Sequence, residues 1–135
     1  MKLGKILPDI ILKDHLDRDY RLYENLNNWL VLIFLKDYLI TEQLLEFNSN
    51  YEKIISAGIN IIVVNNAPVQ TNKALVKKLN FKFPLLSDVE GKLSSVLDSK
   101  EKVKRKILIL NNNAKIVYVD YKFPTYYLNK IGLVF

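Results

Sequence analysis

The feature that most constrains this chain is the unbroken apolar run Trp29-Leu30-Val31-Leu32-Ile33-Phe34-Leu35. It does not alternate polar with apolar, so neither of its faces suits water. A short, continuous run of this kind reads as a strand buried on both sides, as in a parallel sheet. It falls well short of the roughly 20 apolar residues needed to span a bilayer. The next segment has the pattern of a crossover. Between Thr41 and Ala57, Leu44, Phe47, Tyr51, Ile54 and Ile55 recur at steps that put them on one face of a helix. Thr41 suits an N-cap, Glu42 and Gln43 occupy the first turn, and Gly58 stands where a left-handed cap belongs. Ile59 to Val64 is a second buried strand. Strand, helix, strand imposes a right-handed crossover and a parallel pair.

The flanks complete a layered arrangement. Ile10 to Leu12 reads as a short strand, Asp14 to Asp19 as a polar turn, and Tyr20, Leu22 and Glu24 as a second short strand or the start of a turn, together resembling an N-terminal hairpin. After the loop Asn65-Asn66-Ala67-Pro68, the pattern predicts a helix over Val69 to Leu79 with Ala74, Leu75 and Leu79 inward. Phe83 to Leu86 is extended, because a proline disfavours helix at the residue before it. Asp88 to Gly91 turns and Lys92 to Leu97 is a short helix. Ile107 to Leu110 is a third apolar strand. Asn111-Asn112-Asn113 supplies residues that tolerate positive φ, and Lys115 to Tyr121 alternates as the returning strand. The tail after Pro124 is aromatic and apolar and reads as a short helix. The class is α/β, a central mixed sheet with flanking helices. With no repeat or internal boundary, residues 1–135 read as one domain.

Composition narrows the chemistry. The chain has no cysteine, hence no disulfide, no thiolate metal ligand and no thiol nucleophile; its sulfur is in Met1 alone. His15 is the sole histidine and reads as a surface residue of the N-terminal turn. No metal-ligand spacing and no glycine-rich phosphate loop is present, so neither metal nor cofactor is expected. The net charge of +6 is almost all lysine, with arginine at Arg18, Arg21 and Arg105. The densest basic stretch, Lys100 to Lys106, reads as a solvated loop in preference to a nucleic-acid contact, since nucleic-acid readers usually concentrate arginine and aromatics on one face. Met1 to Pro8 lacks the hydrophobic run of a signal peptide, so a cytoplasmic, non-membrane protein is expected.

Several stretches resemble the alkyl hydroperoxide reductase and thiol-specific antioxidant family, the peroxiredoxins, in particular the bacterioferritin comigratory protein branch. Gly4 with Leu7-Pro8-Asp9-Ile10-Ile11-Leu12 resembles the family's opening motif. Val31 to Asp37 resembles the strand leading into the active-site loop, and Glu46-Phe47 with Tyr51-Glu52-Lys53 the active-site helix. Phe83-Pro84-Leu85-Leu86-Ser87-Asp88 with Glu90-Gly91-Lys92 is the most specific match, and Arg105 falls where the family keeps its active-site arginine. The resemblance implies a thioredoxin-like fold with an N-terminal hairpin extension.

It also implies an active site whose key residue is absent. Counting back from Glu46-Phe47 puts Ile40 at the family's peroxidatic cysteine, Asp37 at its threonine and Tyr38 at its proline, in a loop shorter than the family's. Leu45 stands where some members carry a resolving cysteine. No other register changes the outcome, because the chain has no cysteine to find. No catalytic residue is therefore assigned, and a non-enzyme is favoured over an enzyme. Arg105 reads first as an ion-pair partner of Glu42 or Asp37, which also suit capping of the helix, and the sharper alternative is a vestigial anion site of Arg105, Thr41, Asp37 and Glu42. Three functions are open: a binding or assembly module with an unidentified protein partner; the family's antioxidant and oxidoreductase role with a thiol supplied by a partner; and weak anion or nucleic-acid binding by the basic surface. Tyr126, Tyr127, Leu128, Ile131, Leu133, Val134 and Phe135 suggest either a homo-oligomer interface or docking of the tail on its own sheet.

Overall fold

The computed structural model describes residues 3–36, 42–97 and 105–120, with the side chains of 42, 43, 105 and 120 outside the description. The expected helix at the C-terminal end falls outside these residues. The apolar runs become the centre of a seven-stranded mixed sheet of order β2-β1-β5-β4-β3-β6-β7. Its strands are β1 (Ile11–Asp14), β2 (Asp19–Arg21), β3 (Trp29–Leu35), β4 (Ile59–Asn65), β5 (Leu85–Ser87), β6 (Arg105–Asn111) and β7 (Ile116–Asp120). β3, β4 and β5 are parallel, and every other pairing is antiparallel. The N-terminal segment closes on β7, where the N–H of Gly4 donates to Ile116 O (2.8 Å) and that of Leu7 to Ala114 O (2.9 Å).

The alternation of β3 explains why its sequence does not alternate. Leu30, Leu32 and Phe34 face one core with Ile62, Val64, Leu108 and Leu110. Val31, Ile33 and Leu35 face the other with Ile61, Val63, Ile107 and Ile109. Helix α4 (Lys92–Val96) covers the first face through Leu93 and Leu97. Helices α1 (Glu42–Ser49), α2 (Tyr51–Ser56) and α3 (Val69–Leu79) cover the second. Full burial of each such aliphatic side chain contributes about 1.5–3 kcal/mol, which makes β3 the anchor of both layers.

Four expectations need correction. The single helix over Thr41 to Ala57 is two helices, broken at Asn50. There the backbone turns to φ −104 and ψ 16, and the Asn50 N–H is shared between Glu46 O (3.1 Å) and Phe47 O (3.2 Å), the tightened last turn of a helix end. In α3 the inward residues are Asn72, Leu75, Val76 and Leu79, and Ala74 is exposed. At the β6–β7 turn the positive φ falls on Ala114, because Asn111 Oδ1 holds the turn by accepting from the N–H groups of Asn113 (2.9 Å) and Lys115 (3.0 Å). Lys106 is not in a solvated loop: it is buried in β6 and its Nζ donates to Leu97 O at the end of α4 (2.7 Å). Gly58 does adopt φ +78 after α2, and a Cβ there would meet Asn28 Nδ2 at 2.5 Å.

Candidate functional site

The parallel strands end level with one another. Leu35 of β3 pairs with Asn65 of β4, and Asn65 with Ser87 of β5. Antiparallel neighbours extend this row at both ends, Lys13 opposite Ser87 and Arg105 opposite Leu35. The row Lys13–Ser87–Asn65–Leu35–Arg105 is the C-terminal edge of the parallel strands, where α/β sheets generally carry their sites.

The Leu35–Arg105 end is the position expected for the vestigial site. β3 leaves the sheet there and α1 begins at Glu42. The backbone of Arg105 is in phase with Ile107 and Ile109, which belong to the core under α1 and α2. Asp37, Tyr38, Ile40 and Thr41 lie outside the described residues, as do the side chains of Glu42 and Arg105. The register thus brings Arg105 beside the end of β3. Leu45 is exposed on α1.

The middle of the row carries a buried polar cluster that sequence reasoning missed. Asn72 of α3 is fully buried. Its Oδ1 accepts from Asn65 Nδ2 (2.7 Å), and its Nδ2 donates to Asn65 Oδ1 (2.9 Å) and Ser87 Oγ (2.9 Å). Asn65 Oδ1 also accepts from the N–H of Ala67 (3.1 Å). The cluster fixes α3 to the ends of β4 and β5. A signal was present: Asn72 shares the spacing of Leu75, Val76 and Leu79, but an asparagine is not counted as core unless a buried partner is foreseen.

The most family-like stretch proves to be scaffold. Phe83 is fully buried and stacks on Phe81 with ring centroids 4.7 Å apart. Leu85 to Ser87 form β5, and the Asp88 carboxylate accepts from the N–H groups of Leu93 (3.2 Å) and Ser94 (3.0 Å), capping α4. Gly91 precedes that helix at φ +74. The opening motif is structural as well: Leu7 is buried, Tyr23 Oη donates to Leu7 O (2.6 Å), and the N–H of Tyr23 donates to Asp9 Oδ1 (3.0 Å).

His15 stands apart, on the turn after β1, which lies three strands from β3 in the sheet. It is half-buried rather than a surface residue, and its Nδ1 accepts from the N–H of Leu85 at 3.4 Å. Burial holds its pKa below the usual histidine range. Its neighbour Asp14 accepts from the N–H groups of Leu16 and Arg18 (2.9 Å each) and from Arg18 Nε (3.2 Å). An open cleft of about 500 Å³ lies at this Lys13–Ser87 end of the row, with Ile11, Pro68, Val69 and Val89 in its wall. No histidine lines it.

Comparison with known proteins settles the family. The sequence profile described as "AhpC/TSA family" matches residues 3–119, most of the chain. The chain belongs to that family. No curated protein matches it. Among solved structures, the peroxidoxin BcpB of Mycobacterium tuberculosis aligns with a TM-score of 0.80 at 19% identity, over 90% of this chain and 86% of that one. A cysteine-to-serine mutant of PrxQ from Xylella fastidiosa aligns with a TM-score of 0.80 at 21% identity, over 97% and 93%. The bacterioferritin comigratory protein of Xanthomonas campestris, whose structures concern alkyl peroxide reduction, aligns with a TM-score of 0.77 at 24% identity, over 90% and 89%. At these identities the likeness shows the fold, the thioredoxin-like peroxiredoxin fold. Within it this AhpC/TSA chain has no cysteine in its 135 residues. Among the described residues no helix is long and apolar enough to cross a membrane.

Proposed function

We propose that this chain is a peroxiredoxin-type scaffold without thiol peroxidase activity, acting as a binding or assembly module in the cytoplasm. The observation that carries the reading is the absence of cysteine from a chain that matches the AhpC/TSA family over residues 3–119. Thiol-based peroxide reduction needs a thiolate that attacks one peroxide oxygen and becomes a sulfenic acid while the other oxygen leaves. A helix N-terminus and an arginine can lower a thiol pKa and orient a peroxide, but they cannot replace the attacking sulfur. Ile40, at the cysteine position by alignment with the family motif, offers no lone pair.

Retention of the scaffold supports a binding role. Leu7, Phe47, Phe83 and Leu93, all in or beside family-like motifs, are buried, and Asp88 still caps α4. Arg105 pairs with Leu35 at the end of β3. With the start of α1 it would form an anion pocket, and NMR titration with phosphate or small carboxylates is the check. Shifts at Arg105 and Thr41 are expected, and their absence would remove the pocket. The test of the wider reading is peroxide consumption with dithiothreitol or thioredoxin as reductant. The expected rate equals that of reductant alone; turnover above it would contradict the reading.

A further inference from the structure

The positive charge of this chain is concentrated. From Lys53 to Ser87 the sequence holds five lysines and no aspartate or glutamate, while the rest of the chain holds 15 basic and 14 acidic residues. Nearly all of the net charge of +6 therefore comes from this stretch. Three of its lysines, Lys73, Lys77 and Lys78, are exposed on α3, and Lys82 is exposed just beyond it. The three on α3 occupy the side of the helix opposite Asn72, Leu75, Val76 and Leu79, so the outer face reads Gln70, Lys73, Ala74, Lys77, Lys78. None of these lysines forms an ion pair with a described residue; the pairs present involve Lys13, Arg18, Arg21 and Lys92. Lys77 and Lys78 complement the dipole of the last turn. Lys73 does not, and at i,i+4 it repels Lys77.

We propose that the outer face of α3 is a docking face for an acidic segment of a partner protein. Unpaired charge of one sign on one face steers and orients a partner of opposite sign. The face is about 16 Å long at 1.5 Å per residue, the length of a few turns of helix. It carries no arginine fork and no aromatic ring, the groups that bind phosphate bidentately and stack on bases. It carries no exposed large apolar side chain, since those of the described residues are Leu3, Ile6, Ile11, Leu16, Tyr23, Leu45 and Val89. A membrane surface would have nothing to take in beside charge. Exposed Ala74 lies among the lysines and lets a partner backbone approach. This face is separate from the Leu35–Arg105 end, and its docking role stands whether or not peroxide is reduced there.

The test is binding of a fluorescent poly-glutamate peptide to the full chain by anisotropy, at low and at physiological salt. Saturable binding that weakens with salt is expected. The variant Lys73→Glu/Lys77→Glu/Lys78→Glu should weaken it by about tenfold or more, from loss and reversal of three exposed charge contacts. Lys5→Glu/Lys92→Glu/Lys115→Glu has the same net charge with the changes elsewhere and should weaken it far less. Lys73→Gln/Lys77→Gln/Lys78→Gln keeps helix propensity and gives the intermediate result, with circular dichroism confirming the fold of each. Equal loss in the two glutamate variants would show that net charge alone acts, and would overturn the proposal. So would absence of peptide binding, or a DNA duplex or phosphatidylserine vesicle binding through the same lysines at least as tightly as the peptide.

Discussion

Replacing Asn72 with alanine should be among the most damaging single changes in the chain. The side chain is fully buried and makes hydrogen bonds of 2.7, 2.9 and 2.9 Å that join α3 to β4 and β5. Without it, Asn65 Nδ2 loses its acceptor and Ser87 Oγ loses its donor, while Asn65 Oδ1 keeps the N–H of Ala67. A buried polar group left without a partner costs about 1–3 kcal/mol. Two such groups, partly relieved by water entering the space, give an expected loss of about 3 kcal/mol. That is a large share of the roughly 5–15 kcal/mol typical of a domain. In urea, at a slope of about 2 kcal/mol per molar, the midpoint should fall by about 1.5 M. The double variant Asn65→Ala/Asn72→Ala should cost at least about 1 kcal/mol less than the sum of its parts, because each single change strands the other's partner. A loss below about 1 kcal/mol for Asn72→Ala, or strict additivity, would refute this account of the cluster.

Other outcomes rest on local geometry. Burial lowers the His15 pKa in the folded chain, so as pH falls through about 6.5 the unfolded chain takes up a proton first. Stability should therefore rise with pH across that window, and His15→Gln should flatten the rise in urea midpoints. Burial alone would raise the Asp14 pKa, but the N–H groups of Arg18 and Leu16 and the Arg18 guanidinium hold it below the usual carboxylate range. Its contribution is present above about pH 4 and lost below it, and Asp14→Asn should shrink that acid limb. Gly58→Ala meets both a left-handed φ and Asn28 Nδ2, whereas Gly4→Ala at φ +83 meets open space. Thermal unfolding should show a loss of about 1–2 kcal/mol for Gly4→Ala and more for Gly58→Ala. Ile40→Cys supplies a thiol where the motif alignment puts the family's cysteine, without the family's threonine and proline beside it in sequence. It should react with hydrogen peroxide no faster than free cysteine in the same buffer, and a much faster rate would show that the surroundings still activate a thiol.

The apolar runs were the most legible part of the fold. β3 is Trp29–Leu35 and α3 is Val69–Leu79, both as the pattern predicts, because each is bounded by strong local signals and buries a defined face. The break at Asn50 was not legible, since it lies in the local backbone turn there, where one N–H is shared between Glu46 O and Phe47 O while the apolar spacing runs on unbroken. Ala74 and Asn72 exchanged expected places. Hydropathy ranks alanine inward, but asparagine gains its burial from partners seven and fifteen residues away in sequence. The candidate site was legible as a motif and only partly as geometry. The register sets Arg105 opposite Leu35, while Asp37, Ile40 and Thr41 lie outside the described residues. The concentration of charge on α3 was also present in the sequence. It became a surface only when the core-facing residues of that helix were known.

On the proposed function, the scaffold of this AhpC/TSA chain persists without a nucleophile for peroxide. Mixing the protein with a modest excess of hydrogen peroxide, quenching at early times and mapping the added oxygen by peptide mass spectrometry is the test. An unmodified chain is expected, with slow sulfoxide formation confined to Met1. Rapid, stoichiometric oxygen transfer to any residue between Lys36 and Ser49 would contradict it.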